Sequence, residues 1–219
     1  MAYYLLLDTS SALSFVALVN ETGILDILYN EDASSQAAKI NVMLADLLQN
    51  HQLEMSQIEA IGLCSGPGSY TGLRISYSVA KGIAYALDIP IVAVNRLEVI
   101  VQKIAHSSAI IVAQKARVGE FFYAIYAVDK KEIVAPIHQT EAVLMDALAS
   151  DTTLQLFSDT EIDLDNVQYY DASTAFEVRA FFALFQAKLA DEQFEDVAYC
   201  EPMYLKSVYV TTPKKSKLL

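Results

Sequence analysis

The sequence has few of the residues that hold metal ions or act as catalytic nucleophiles. Its three histidines, His51, His106 and His138, are isolated from one another, and no cluster of cysteine and histidine occurs. Both observations argue against a zinc or iron centre held by the protein. The G-x-S-x-G elbow of a Ser-His-Asp hydrolase is also absent. We therefore expect no catalytic residue, no metal site and no cofactor.

Glycine is scarce and is missing from the second part of the chain. All seven glycines lie at or before Gly119 in a chain of 219 residues, so residues 120–219 contain none. An enzyme that clamps a nucleotide between two halves uses glycines in both, because they let the backbone approach the phosphates closely. The distribution argues against a self-sufficient nucleotide clamp.

Membrane-spanning runs and secretory features are absent as well. No run of 18 uninterrupted apolar residues occurs, and Met1 is followed by a strand-like segment rather than by a basic leader. We therefore expect a cytoplasmic protein in which the two cysteines, Cys64 and Cys200, are reduced. The net charge of -12 repels phosphate backbones, so a role in a nucleic-acid process requires a partner that supplies positive surface.

The most distinctive stretch is Cys64–Ser76, with the sequence CSGPGSYTGLRIS. It follows an apolar run, Ile58–Leu63, that predicts a buried strand, and it opens into a predicted helix over Leu73–Leu87. One interpretation is that Gly66, Gly68 and Gly72 form an anion cradle at the start of that helix. The other is a tight turn that binds nothing. The stretch matches neither the P-loop nor the dinucleotide-binding pattern.

A short predicted strand, Tyr3–Leu7, ends at Asp8, which is followed by hydroxyl residues. Two further apolar runs, Leu13–Val19 and Ile24–Tyr29, predict an antiparallel meander with it. Asp8 either orients a ligand or caps the turn, and the sequence leaves both open.

Two predicted helices, Gln36–Asn50 and Leu73–Leu87, are apolar over much more than the arc of about 100° that covers one face of a sheet. Deep burial in a larger core explains this breadth, and so does contact with another protein, which we favour. The candidate interface residues are Ile40, Met43, Leu44, Leu47, Ile75, Val79 and Ile83.

The strand and helix pattern restarts after residue 105, which predicts two similar α/β units. We expect one unit over residues 1–105, with the candidate partner helices, and a second over residues 106–212. Its last helix is predicted from Ser173 to Leu189, with Thr174 and Glu177 spaced as a capping box. Residues 213–219 are predicted to be a disordered basic tail.

Five blocks of sequence, taken in order, resemble the TsaB (YeaZ) family, bacterial proteins of the tRNA threonylcarbamoyladenosine pathway. The GPGSYTGLR block is highly specific to that family. The five blocks are Asp8–Ser10, Ser65–Ile75, Lys81–Gly82, Ala116–Glu120 and Pro202–Lys206.

The resemblance implies an α/β fold of two actin-like subdomains, of the ASKHA or ribonuclease H-like type, with mixed sheets flanked by helices. It implies a catalytically silent paralogue of TsaD, the subunit that transfers threonylcarbamoyl to N6 of adenosine 37 in tRNAs reading ANN codons. It also implies a heterodimer with TsaD through helices of the first unit, which TsaE joins. The tRNA would be reached only through this complex.

Three departures from the family pattern limit what can be carried over. Lys115 stands where relatives often have an aspartate, and Lys39–Asn41 stands where many have His-Ser-Glu. Ser158–Thr160 replaces a glycine-containing turn, which weakens any claim to ATP binding. Two alternatives stay open: a self-sufficient actin-like ATPase or peptidase, and a homodimer that uses the same two helices.

Overall fold

A computed structural model describes residues 1–162, 167–169 and 176–206, and it contains two five-stranded sheets flanked by helices. The predicted basic tail, Ser173 and Thr174 lie outside the described residues.

The first sheet contains the predicted meander. Its strands are β1 (Tyr3–Asp8), β2 (Ser14–Asn20), β3 (Gly23–Asn30), β4 (Ile58–Gly66) and β5 (Ile91–Asn95), in the order β3-β2-β1-β4-β5. Strands β1, β2 and β3 pair antiparallel, which confirms the meander, whereas β1, β4 and β5 run parallel. The carboxyl ends of these three parallel strands therefore meet at one edge of the sheet.

The second sheet repeats this topology. Its strands are β6 (Ile110–Arg117), β7 (Glu120–Tyr126), β8 (Glu132–Thr140), β9 (Gln155–Ser158) and β10 (Val167–Tyr169), in the order β10-β9-β6-β7-β8. Here β6, β7 and β8 pair antiparallel, and β6, β9 and β10 run parallel. The repeat agrees with two similar α/β units, while their boundaries stay a prediction.

Five α-helices accompany the sheets in the described ranges. They are α1 (Gln36–Asn50), α2 (Tyr70–Leu87), α3 (Arg96–Lys103), α4 (Glu141–Ser150) and α5 (Val178–Ala190). Among these helices, none combines the length and the apolar character needed to cross a membrane.

Helices α1 and α2 pack on one face of the first sheet. Their side chains surround the alternate residues Leu5 and Leu7 of β1. Three candidate interface residues, Ile40, Leu44 and Leu47, are buried in this core. Deep burial is therefore the correct explanation for these three, since an intramolecular contact already covers them. The structure leaves the other four half-buried at the edge of the core, namely Met43, Ile75, Val79 and Ile83.

Helix α5 packs on the opposite face of the first sheet, although the sequence assigned it to the second unit. Its Phe181 and Phe185 lie in one core with Leu6, the β1 residue between the two that face α1 and α2. Within the described residues the helix begins at Val178, with Glu177 as a non-helical cap. Because both faces of β1 are covered, its sequence is a continuous apolar run rather than an alternating one.

Replacing Phe185 tests the position of α5. Phe185 is fully buried, and its ring meets that of Tyr4 edge to face at 5.5 Å. We expect Phe185→Ala to lower the free energy of unfolding by about 3–5 kcal/mol, measured by urea denaturation, because it opens a cavity against the first sheet. The control Phe194→Ala, at a residue that is 47% exposed, should change it by less than about 1 kcal/mol. Equal effects would contradict this packing.

Candidate functional site

The glycine-rich stretch forms the predicted strand, turn and helix. Gly66 is the last residue of β4, and α2 begins at Tyr70. Ser69 caps the helix, because its Oγ accepts a hydrogen bond from the backbone N–H of Gly72 at 3.2 Å. This cap satisfies one of the N–H groups that an anion would otherwise bind.

The loop after β1 lies directly against this turn. The backbone N–H of Ser69 donates to the Ser10 carbonyl at 2.7 Å. The hydroxyl of Thr9 donates to the Gly72 carbonyl at 2.6 Å and accepts from the N–H of Ser76 at 3.1 Å. The two chain segments are thus joined by hydrogen bonds without an intervening ligand.

Two of the candidate glycines are required by this contact. A Cβ atom on Gly72 would lie 1.9 Å from the carbonyl oxygen of Thr9, and one on Gly68 would lie 2.6 Å from that of Ser10. Neither distance is possible between unbonded atoms. At these positions glycine allows close approach of the chain to itself, which agrees with the tight-turn interpretation.

Asp8 is buried at the carboxyl edge of the first sheet, and both of its carboxylate oxygens accept hydrogen bonds. Its Oδ1 accepts hydrogen bonds from the N–H and the hydroxyl of Ser10, at 2.7 and 2.6 Å. Its Oδ2 accepts from the guanidinium of Arg96, which also donates to the Ser10 hydroxyl at 2.9 Å. The aspartate therefore caps the turn and forms a buried ion pair, with both side chains at most 3% exposed.

Sequence reasoning missed Arg96. A signal was present, because this arginine directly follows the strand β5, whose carboxyl end lies at the same edge as that of β1. The neighbouring Asn95 caps α3 by accepting from the N–H of Leu97 at 2.7 Å, and this fixes where Arg96 begins the helix. The Arg96 guanidinium also lies 4.6 Å from the centre of the Phe176 ring.

Cys64 lies beside this ion pair but is unsuited to nucleophilic chemistry. Its Sγ is 3.7 Å from the Ser10 hydroxyl, and the residue is fully buried. Burial, together with the nearby charge of Asp8, raises the pKa of the Cys64 thiol to about 11. The thiol is therefore neutral at physiological pH, whereas the thiolate is the nucleophile.

A cleft of about 410 Å³ lies between the two units. Its walls come from the glycine turn and the start of α2, from the end of β6, and from residues 203–206. The lining residues are Pro67, Gly68, Ser69, Tyr70, Leu73, Ala116, Arg117, Phe122, Met203, Tyr204, Leu205 and Lys206.

Residues 195–206, which we call the strap, run along the first unit and reach the second sheet. The N–H of Glu195 donates to the carbonyl of Ile91 at 2.9 Å, and that of Met203 donates to the carbonyl of Ser65 at 2.9 Å. Lys81 donates to two strap carbonyls, those of residues 198 and 200, at 3.0 and 3.1 Å. The strap thus holds the edge of the first sheet and the middle of α2.

The last residue of the strap contacts the second sheet. The Lys206 ammonium forms an ion pair with Glu120, which also accepts from His138 Nε2 at 3.1 Å. These two hydrogen bonds hold the pKa of the Glu120 carboxyl below its usual value, and the bond from Lys206 has the larger effect. Four of the five blocks that carry the family resemblance therefore contact one another directly, and Lys81 of the remaining block contacts the strap at residues 198 and 200.

The three positions that depart from the family pattern serve local structure. The backbone N–H of Lys115 donates to Asp159 at 2.8 Å, and Lys39 donates to Asn30 at 3.2 Å. Burial raises the pKa of Asp159 above its usual value. In the parts of the chain that the structure describes, no three His, Cys, Asp or Glu residues lie close enough together to hold a metal ion.

The close approach at Gly72 predicts a severe effect of adding one methyl group. We expect Gly72→Ala to lower the free energy of unfolding by about 3 kcal/mol in urea denaturation, since a backbone carbonyl must move. Gly82→Ala, in the same helix but with no atom near the added methyl, should raise it by about 0.5–1 kcal/mol. Similar effects at both positions would contradict the contact.

The buried ion pair predicts strong coupling between its two members. We expect Asp8→Asn and Arg96→Met each to lower the free energy of unfolding by about 3–5 kcal/mol, because each leaves an unpaired buried charge. The double variant should be more stable than the sum of the two losses predicts, which a double-mutant cycle in urea measures. Strict additivity would show that the two side chains act independently.

Comparisons with known proteins agree with this architecture. The model of the family TsaD: tRNA N6-adenosine threonylcarbamoyltransferase matches residues 30–212. The structure of YeaZ from Pseudomonas aeruginosa superposes with a TM-score of 0.73 and 24% sequence identity, over 94% of this chain and 100% of that chain. The match fits an actin-like fold of two subdomains.

Curated relatives carry the name tRNA threonylcarbamoyladenosine biosynthesis protein TsaB. That of Escherichia coli (strain K12) is 29% identical over 155 residues, 69% of this chain and 66% of the relative. That of Haemophilus influenzae is 30% identical over 124 residues, 55% of this chain and 52% of the relative. The chain thus spans between about half and two thirds of these relatives' length. It belongs to the TsaD family, and within that family to the TsaB (YeaZ) proteins.

Proposed function

We propose that this chain takes part in the biosynthesis of threonylcarbamoyladenosine in tRNA as a non-catalytic subunit that pairs with TsaD and activates it. The reaction would place threonylcarbamoyl on N6 of adenosine 37 in tRNAs reading ANN codons. The names of the relatives support the pathway. TsaE joins the pair, and the net charge of -12 favours contact with tRNA only through the complex.

The non-catalytic assignment rests on the contacts of Asp8, whose carboxylate is bound by other residues of the chain. An acid at the end of the first strand is placed to orient a ligand, but here Arg96 and Ser10 occupy both of its oxygens. Gly68 and Gly72 of the adjacent turn lie against Ser10 and Thr9, so the close approach that these glycines allow is that of the chain to itself. This arrangement supports a structural role over the alternative of an ATPase or a peptidase.

The surface proposed for TsaD is the outer edge of α1 and α2 in the unit of residues 1–105. Met43, Ile75, Val79 and Ile83 are half-buried there, so each retains apolar surface that a partner can cover. A groove of about 400 Å³ runs between the two helices, with Val79 in its wall. A groove between helices suits an amphipathic helix of the partner.

Reconstitution of the modification reaction tests the function. We expect tRNA modification by TsaD, TsaE and threonylcarbamoyl-AMP synthase from the same organism to require this chain, and the chain alone to turn over neither ATP nor tRNA. Modification at the same rate without the chain would overturn the proposal. ATP turnover by the isolated chain would favour the enzyme alternative.

Replacing Val79 tests the interface. We expect Val79→Glu to weaken TsaD binding at least 100-fold in calorimetry, since an unpaired charge buried at an interface costs about 3–5 kcal/mol. Val118→Glu is the matched control, because Val118 lies between β6 and β7 and is 94% exposed. It should bind TsaD as the natural chain does. Unchanged binding by both variants would place the interface elsewhere.

A further inference from the structure

Arg74 is held in a fixed position by two tyrosines. Its guanidinium carbon lies 4.1 Å from the centre of the Tyr70 ring and 5.7 Å from that of Tyr204. Its Nε donates to the Tyr204 hydroxyl at 3.0 Å, and the two rings lie 5.0 Å apart. These contacts use the rings and the Nε, so within the described part of the chain the two terminal nitrogens of the guanidinium remain able to bind another group.

Among the described residues, no carboxylate forms an ion pair with Arg74. Among the ion pairs of the described ranges, Lys103, Lys131, Lys188, Lys206 and Arg96 each contact an acid, but Arg74 does not. Glu201 acts on it only at longer range. What distinguishes Arg74 is that two tyrosines hold its guanidinium at an exposed position.

Arg74 also stands at the groove between α1 and α2. With Tyr70 it lines one part of the groove. The rest is lined by the apolar residues Ala37, Ile40, Ile75 and Val79 and by the hydroxyl residues Thr71 and Ser78. A groove with four apolar residues and one fixed cation in its walls is complementary to a helix with an apolar stripe and one acidic residue. Tyrosine and arginine are also the residue types that most often dominate binding at interfaces.

We infer that Arg74, clamped by Tyr70 and Tyr204, binds a carboxylate on the TsaD helix that fills this groove. The inference rests on the proposed function, because it names the chemistry of the same partner. A planar guanidinium binds a carboxylate through two parallel hydrogen bonds, and a side chain already ordered in the free protein loses less entropy on binding. The contact therefore sets the register of the partner helix.

The test compares two arginines that differ only in position. We expect Arg74→Gln to weaken TsaD binding about 10–100-fold in calorimetry. Arg179→Gln removes the same charge from an exposed position on α5, on the other face of the first sheet, and should leave the affinity unchanged. Arg74→Lys keeps the charge but not the paired geometry, so it should restore only part of the affinity. Urea denaturation verifies that each variant is folded.

Salt dependence separates an ion pair from a change of shape. The affinity of the natural chain should fall between 50 and 300 mM NaCl, and that of Arg74→Gln should fall less. The control Arg179→Gln should keep the natural salt dependence. A lost hydrogen bond or a distorted helix would lower the affinity without changing this slope.

The outcomes distinguish this inference from the proposed function. If the natural chain binds TsaD and Arg74→Gln binds equally well with the same salt dependence, the inference is wrong while the proposed function stands. If the natural chain does not bind TsaD, both are wrong. If Arg74→Gln weakens self-association of the chain in sedimentation but not TsaD binding, the groove takes a second copy and the inference is overturned.

Discussion

The buried ion pair between Asp8 and Arg96 fixes the part of the structure on which the cleft and the partner helices depend. It joins the carboxyl ends of β1 and β5, and through Ser10 it orders the loop after β1. That loop in turn carries the hydrogen bonds and backbone contacts that set the start of α2. The direction of α2, and with it the groove beside α1, follows from this one interaction.

The strap connects this centre to the second unit. Met203 is hydrogen-bonded to β4, Tyr204 to Arg74 on α2, and Lys206 forms an ion pair with Glu120 on β7. The strap thus links Arg74, at the proposed partner surface, to Glu120 of the second sheet through Tyr204 and Lys206. The sequence blocks that identify the family meet here because they form one set of contacts, although they are far apart along the chain.

Local patterns in the sequence predicted the elements well, and long-range contacts account for what was missed. The bounds of α1 and the β1–β3 meander could be predicted because hydrophobic periodicity and turn residues determine structure within a few positions of the chain. The breadth of apolar surface on α1 could not separate Leu44, which is buried, from Met43, which is half-buried. An amphipathic pattern likewise shows which face of a helix is apolar but not which sheet covers it, so α5 was assigned to the wrong neighbour. The partner of Asp8 lies 88 positions away, where no local rule operates.

The return of α5 to the first sheet also orders events during synthesis. Leu6, Ala17 and Val92 face Phe181 and Phe185, so one apolar face of the first sheet has no cover until about 190 residues have been made. The first sheet therefore cannot complete its packing when its own five strands have been made, because it still lacks α5. About 190 residues must leave the ribosome before β1 acquires its last neighbours, so the strand that is made first is among the last to be covered on both faces.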